Sequence, residues 1–255
     1  MKRRSIFVTG AASGIGRETA RLFAQRRWFV GLFDLNDNTL AALASEFGAE
    51  HCCWQKLDVT DAENFQRAVT LFAERTGGTM DLLFNCAGVT FNGKLADVPL
   101  PRLQQIIRIN VEGMLIGTHL SLPLLRRTPN SHIVNMASAS ALYGVPEMAA
   151  YSASKAAVRG LTEALNLELE ADGIVVSDIL PSFVNTPMVT AQTCEVRSVK
   201  NLGVKLQAED VASGVWRAAH GRKVHWIPEW RIRLMNAFTR CWPRLQRSVM
   251  KWIFK

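Results

Sequence analysis

Short, nearly continuous apolar runs alternate with stretches of helical period over most of the chain. The runs fall at residues 5–9, 29–33, 52–57, 81–84, 133–135 and 174–180. They lack the in-out polar alternation of a half-solvated sheet, which predicts parallel strands covered on both faces. Between them, Thr19, Ala20, Leu22 and Phe23 share helical spacing, and a second helix over 38–47 places Leu40, Leu43, Ala44 and Phe47 on one side. Further helices are predicted over 65–75, 101–126, 151–169 and 208–219, and residues 224–227 offer one more strand. Six strands alternating with helices predict an α/β fold: a single-domain, Rossmann-type, doubly wound parallel sheet with helices on both faces. After Leu180 the pattern dissolves into a loop with two prolines, Pro181 and Pro187, and then into weakly periodic polar sequence, so that about 182–206 reads as a substrate lid over a catalytic domain of residues 1–228.

The tail, 229–255, has a different pattern. On a helical wheel Leu234, Met235, Phe238, Trp242, Leu245, Val249, Trp252 and Ile253 fall within an arc of about 100°, with Arg233, Arg240, Arg244, Arg247, Lys251 and Lys255 opposite. Pro243 should divide the tail into two short helices. The formal charge of +8 belongs here: seven lysines and arginines against the single Glu229 give the tail +6 and leave +2 for the rest. The body is close to neutral, which speaks against a nucleic-acid surface. Two readings of this basic amphipathic extension stay open. Its apolar stripe packs on its own domain or a sister subunit, or it lies in a membrane interface, in which case the substrate would be lipophilic.

Composition adds limits. A chain of 255 residues, 48% apolar, can bury one large core. Five cysteines without a Cys-x-x-Cys pair suggest neither a disulfide framework nor a zinc site. With no signal-like opening and no apolar run of spanning length, the expected location is cytoplasmic, with peripheral membrane association if the tail seeks lipid.

The chemistry starts from Tyr151 and Lys155, which stand four residues apart and so share a helical face. An ammonium one turn from a phenol favours the phenolate and makes the pair an acid/base device. A surface lysine beside a half-buried tyrosine gives the same spacing. Ser138 follows the fifth strand, at the edge where parallel sheets bind ligands. Gly10, Gly14 and Gly16 lie between the first strand and a helix, where the backbone can approach a diphosphate at the positive end of the helix dipole. Asp34 ends the second strand; a carboxylate there suits ribose hydroxyls and repels a 2′-phosphate, favouring NAD(H) over NADP(H). Arg17 could instead serve a phosphate, or simply be solvated. Asp58 either contacts an adenine edge or caps the next helix. The run Asn85-Cys86-Ala87-Gly88 permits close approach to a flat ligand, with Cys86 a packing residue. Asn110 inside a helical segment implies a specific hydrogen bond, or plain exposure.

Together TGAASGIG at 9–16, NCAG at 85–88, Asn110, Ser138 and YSASK at 151–155 resemble the short-chain dehydrogenase/reductase (SDR) family in identity, order and spacing, over residues 5 to about 227. The resemblance implies an NAD(P)-dependent oxidoreductase acting on an alcohol or carbonyl, with Tyr151 as general acid/base and Ser138 orienting the carbonyl. It implies that Lys155 lowers the Tyr151 pKa and binds the nicotinamide ribose, and that Asn110 holds a relay water. Cofactor contacts would come from Gly10, Ser13, Gly14, Ile15 and Gly16, and from Asp34, Asp58 and Val59. Asn85, Ala87, Gly88, Tyr151, Lys155, Pro181, Val184 and Thr186 would complete the set. Members of the family are often homodimers or homotetramers.

Two positions depart from the family's pattern: Cys86 stands where a second asparagine is usual, and Pro181-Ser182 where Pro-Gly is usual. Altered nicotinamide-loop and lid geometry is expected, not lost activity. A catalytically idle NAD(H)-binding regulator of the same fold is the rival reading, and the tail as a docking element with secondary activity is a third.

Overall fold

The computed structural model describes residues 3–190 and 203–241, and beyond them residues 245, 247, 248, 250 and 251. Seven parallel strands form one sheet in the order β3-β2-β1-β4-β5-β6-β9. In chain order these are β1 (Ser5–Thr9), β2 (Phe29–Asp34), β3 (Cys52–Lys56), β4 (Leu82–Asn85), β5 (His132–Met136), β6 (Val175–Ile179) and β9 (His225–Trp226). Strand order runs outward from β1 to β3 and then reverses through β4, so the two halves of the sheet diverge between β1 and β4, where such folds leave a crevice at the carboxyl ends.

Alternation along β1 builds two cores. Ile6 and Val8 join one face with Phe23, Trp28, Leu40 and Val215, whereas Phe7 points to the other with Phe33, Phe65 and Phe72. Phe7 and Phe33 stack with centroids 3.9 Å apart, a packing that explains why both faces of the strands read as apolar.

Helix ends follow local chemistry. α1 (Gly14–Gln25) opens from the glycine loop; α2 (Asp37–Phe47) is capped by Asn36, whose side chain accepts from the Thr39 amide at 3.1 Å. α3 (Ala62–Thr76) is capped by Asp61, which accepts from the Asn64 amide, and stops at Gly77 with φ 65°, a left-handed turn that suits glycine.

The helix expected over 101–126 is divided. α4 (Leu100–Ile107) and α5 (Gly113–Arg126) are joined by a π-helical turn, Arg108–Glu112. Gly113 and Gly117, both in the first turns of α5, explain why that helix is fixed in position. A Cβ on Gly113 would come within 2.6 Å of the Val59 side chain, and one on Gly117 within 2.6 Å of Phe65. The wider turn accommodates an additional residue and sets Asn110 inward, buried.

α6 (Ala149–Glu168) lies against β5 and β6, and a buried polar chain ties it to the sheet. Asn85 Nδ2 donates to Thr118 Oγ1 and, at 2.9 Å, to Asn135 Oδ1; Asn135 Nδ2 donates to Thr162 Oγ1 at 3.0 Å. At the sheet edge His225 Nδ1 meets Asp178 Oδ1 at 2.9 Å and its Nε2 meets Glu163 Oε1 at 3.0 Å. Burial raises the Asp178 pKa, while the hydrogen bond to that carboxylate raises the pKa of His225.

Of the lid, residues 191–202 lie outside the described residues. What is described holds more order than its sequence suggests: β7 (Val184–Asn185) pairs in parallel with β8 (Leu206–Gln207), and a short α7 (Pro187–Thr190) follows β7. α8 (Ala208–Ala218) opens with a capping box between Gln207 and Asp210. The tail begins as α9 (Trp230–Cys241), and residues 245, 247, 248, 250 and 251 are also helical; the break expected at Pro243 lies outside the described residues. Glu229, just before α9, accepts the Ser182 amide at 3.1 Å.

Candidate active site

A cavity of about 370 Å³ opens over the carboxyl ends of the strands, from the β1–α1 loop across to Ser138, Tyr151 and the tail. Its floor at one end is the glycine loop. Gly10 takes φ +70° with the Ala87 backbone 3.0 Å from where a Cβ would stand, and a Cβ on Gly16 would land on the Gly10 carbonyl oxygen. Backbone therefore packs on backbone here. Ser13, Gly14, Ile15 and Gly16 face the cavity, and Ser13 makes no side-chain cap, which leaves first-turn amides of α1 to an anionic ligand.

Asp34 lies at the rim. Its Oδ2 accepts from the Ala12 amide at 3.0 Å and its Oδ1 from Asn36 at 3.1 Å, fixing the carboxylate while leaving lone pairs toward the cavity it lines. Arg17 is drawn to Glu18 at 2.9 Å and does not line the cavity. Asp58 accepts from both the amide and hydroxyl of Thr60, in a local turn; the helix cap belongs to Asp61, and Asp58 and Val59 line the cavity.

Thr9, which the sequence did not single out, shapes the NCAG turn, its hydroxyl accepting from the amides of Cys86 (3.0 Å) and Ala87 (3.1 Å). Cys86, Ala87 and Gly88 line the cavity, but the Asn85 side chain turns away into the buried chain with Thr118 and Asn135. A cofactor contact from that side chain is not what the geometry offers. Burial pushes the Cys86 thiol up to about 12, consistent with a packing residue.

Ser138 and Tyr151 both line the cavity, with Ser138 placed to favour the ionised phenol. Burial pushes the Tyr151 phenol up to about 12, opposed by Ser138. Lys155 comes from the same face of α6 one turn on. Its Nζ donates to the Met136 carbonyl at 2.6 Å and lies 5.5 Å from the Tyr151 ring centre, and burial lowers its pKa to about 8. The phenol is thus shifted upward by its burial, where a downward shift from Lys155 was expected. Asn110 is held as its setting in a helix implied: Oδ1 accepts from the Val89 amide at 2.8 Å, and Nδ2 donates to the Val89 carbonyl and Ser154 hydroxyl at 3.0 Å each. A water-sized void lined by Asn85, Asn110, Met136 and Lys155 lies beside it.

On the far side Pro181, Val184 and Thr186 line the cavity, with the Thr186 methyl 3.0 Å from where a Cβ on Gly14 would stand. Ser140, Tyr143, Met148, Ile232, Met235 and Met250 also line it and were not foreseen as site residues. The Ser140 hydroxyl is buried without a partner among the described residues. Only Ser140 carried a sequence signal, a hydroxyl near Ser138; the others reach the cavity through the fold.

The glycine cradle, the amide-rich start of α1 and the fixed Asp34 carboxylate fit a dinucleotide laid across the crevice. Comparison with known proteins agrees. The sequence model of the short chain dehydrogenase family matches residues 4–196. An uncharacterized oxidoreductase of Staphylococcus aureus (strain USA300) is 30% identical over 208 residues, which is 82% of this chain and 87% of that one. The probable oxidoreductase EphD of Mycobacterium tuberculosis (strain ATCC 25618 / H37Rv) is 34% identical over 190 residues, covering 72% of this chain and 31% of EphD. Among solved structures, a short chain dehydrogenase/reductase from Burkholderia phymatum in complex with NAD has a TM-score of 0.86 at 27% identity, over 96% of this chain and 95% of that one. The 3-ketoacyl-(acyl-carrier-protein) reductase from Brucella melitensis, complexed with NADH, has a TM-score of 0.80 at 25% identity, over 88% of this chain and 96% of that one. In sequence, sheet order and site, the chain belongs to the short-chain dehydrogenase family of oxidoreductases.

Proposed function

We propose that the protein is an NAD-preferring oxidoreductase that interconverts an apolar alcohol and its carbonyl, with Tyr151 as the acid/base. The observation that carries this reading is the convergence of Ser138, Tyr151 and Lys155 on the cavity that also holds the glycine loop and Asp34. A bound nicotinamide coenzyme would supply or accept the hydride. Ser138 donates to and orients the substrate oxygen, and Tyr151, a phenol at neutral pH, gives that oxygen its proton in reduction. Lys155, brought to about 8, exchanges protons near neutral pH, and the void beside Asn110 has room for the water that would return them. Asp34 would accept from ribose hydroxyls and repel a 2′-phosphate.

The cavity end formed by Met148, Ile232, Met235 and Met250 supports a lipophilic substrate, since unbranched thioether side chains adapt to irregular apolar shapes. Ile107 and Leu115, exposed on α4 and α5, support a homo-oligomer through that layer, and a cytoplasmic setting accords with the unpaired Cys52 and Cys53.

Turnover of graded aldehydes and ketones with NADH and NADPH, in parent and Tyr151→Phe proteins, tests the reading. NADH-linked turnover should exceed NADPH-linked turnover and fall by about 10²–10⁴-fold in the variant, with NADH binding retained. Surviving turnover would remove Tyr151 as the acid/base, and NADH binding without turnover across the panel would favour the idle regulator.

A further inference from the structure

α9 is apolar on two faces. One face packs inward: Ile232 and Met235 line the active-site cavity, joined by Met250 from the helical residues beyond. At 100° per residue, Trp230 and Leu234 fall on a second arc, about 150° from the first. They stand 59% and 60% exposed, and Leu245 is 48% exposed. Arg231 and Arg233 bracket this outer arc, one on each margin, and both are exposed, as are Arg247 and Lys251. Of the stripe expected from the sequence, Met235 faces the pocket while Leu234 and Leu245 face outward; Trp230, Ile232 and Met250 lie outside that stripe.

Three occupants could cover the outer arc. The protein's own domain is already engaged through the inner face. A second copy meeting this face across a two-fold axis would set the same arginines against one another, in a tail whose net charge is +6. An anionic lipid surface satisfies both features at once. Tryptophan and leucine enter the boundary between headgroups and acyl chains, while flanking arginines extend to lipid phosphates. Lys205 adds a cation to the groove that it lines with Glu229, Trp230, Arg231 and Arg233.

We propose that α9 seats the enzyme on an anionic bilayer through Trp230, Leu234 and their flanking cations, while its inner face forms the wall of the substrate cavity. Docking so placed puts the pocket wall one helix diameter from the lipid, the distance over which a membrane-dissolved alcohol or ketone would pass. The seating itself is independent of the acid/base assignment; only its link to substrate delivery rests on the proposed function.

The test is flotation of the full chain with vesicles of phosphatidylcholine alone or mixed with phosphatidylserine, at low and high salt, beside the double variant Trp230→Glu with Leu234→Glu. The parent should float with anionic vesicles at least roughly tenfold better than with neutral ones and be released by salt. The double variant should remain in the buffer while keeping NADH binding and turnover of a water-soluble carbonyl. A parent that does not float, a variant that floats as well as the parent, or a variant that loses NADH binding would each overturn the proposal. So would a parent dimer that the double variant converts to monomers, since the arc would then be an interface between copies. Flotation needs no turnover, so a failed acid/base assignment leaves this result intact.

Discussion

Lys155 carries an ammonium into a site that little water reaches, and burial draws its pKa from 10.5 to about 8. Below pH 8 folded and unfolded chains both hold the proton, and the folded protein bears the full cost of the buried charge. Between about 8 and 10.5 the unfolded chain keeps a proton that the folded chain has released, so this group's contribution to stability rises with pH. Tyr151, raised to about 12, acts in the opposite direction only above its unfolded value near 10. The stability of Lys155→Met relative to the parent should therefore decrease steadily from pH 8 to 10. Urea melts at three pH values would show this, and a constant difference would mean that the lysine does not titrate there. Tyr151 and Lys155 were legible as a pair because helical spacing is a local property of sequence. The direction of the Tyr151 shift was not, because burial depends on what the rest of the fold packs around the phenol. Asn85 is a similar case: its place after a strand pointed to the ligand, and its partners on β5 and α5 turn the side chain inward.

At the scale of elements, the order of strands and helices was legible because each strand is apolar on both sides and each helix has a single apolar stripe. The π-helical turn at Arg108–Glu112 was not, since its stretch has the same period as the helices it joins; the contacts of Gly113 with Val59 and Gly117 with Phe65 that fix its register are long-range. Asn135 shows what such contacts do for the site. Fully buried on β5, it accepts from Asn85 on β4 and donates to Thr162 on α6, so the helix bearing Tyr151 and Lys155 is pinned to the strands beneath it. Asn135→Ala would leave the Asn85 amide short of a partner and open a small gap. A loss of about 1–3 kcal/mol in chemical denaturation is expected, and a change below about 0.5 kcal/mol, the range of neutral surface changes, would show that the network is dispensable.

For the whole molecule, composition gave one domain and placed the excess charge in the tail, yet the tail's destination was open between packing and lipid. Met235 from the stripe, with Ile232 and Met250 beside it, answers half of that question: part of the tail closes the pocket. No local pattern could divide the stripe, because the inner and outer arcs carry the same residue classes. Glu229 is the point where this closure is fastened, its carboxylate accepting the Ser182 amide. Glu229→Ala should raise KM for an apolar carbonyl by roughly fivefold, in line with the ~1 kcal/mol net worth of one hydrogen bond, with kcat within about twofold. A proportional fall in kcat at constant KM would instead assign Glu229 to the transition state.

The Glu229 bond joins two neighbourhoods. Ser182 follows Pro181, and Val184 and Thr186 lie just beyond, all lining the cavity on the side of the glycine loop, while Glu229 leads directly into α9. A dinucleotide that ordered this loop would also order the start of the tail helix, and equilibrium linkage would make such an influence reciprocal: whatever held α9 in place would tighten the dinucleotide by the same factor. One hydrogen bond would therefore let the occupancy of a coenzyme site and the environment of the tail report on each other, so that the protein's surroundings would become a variable in its affinity for a dinucleotide.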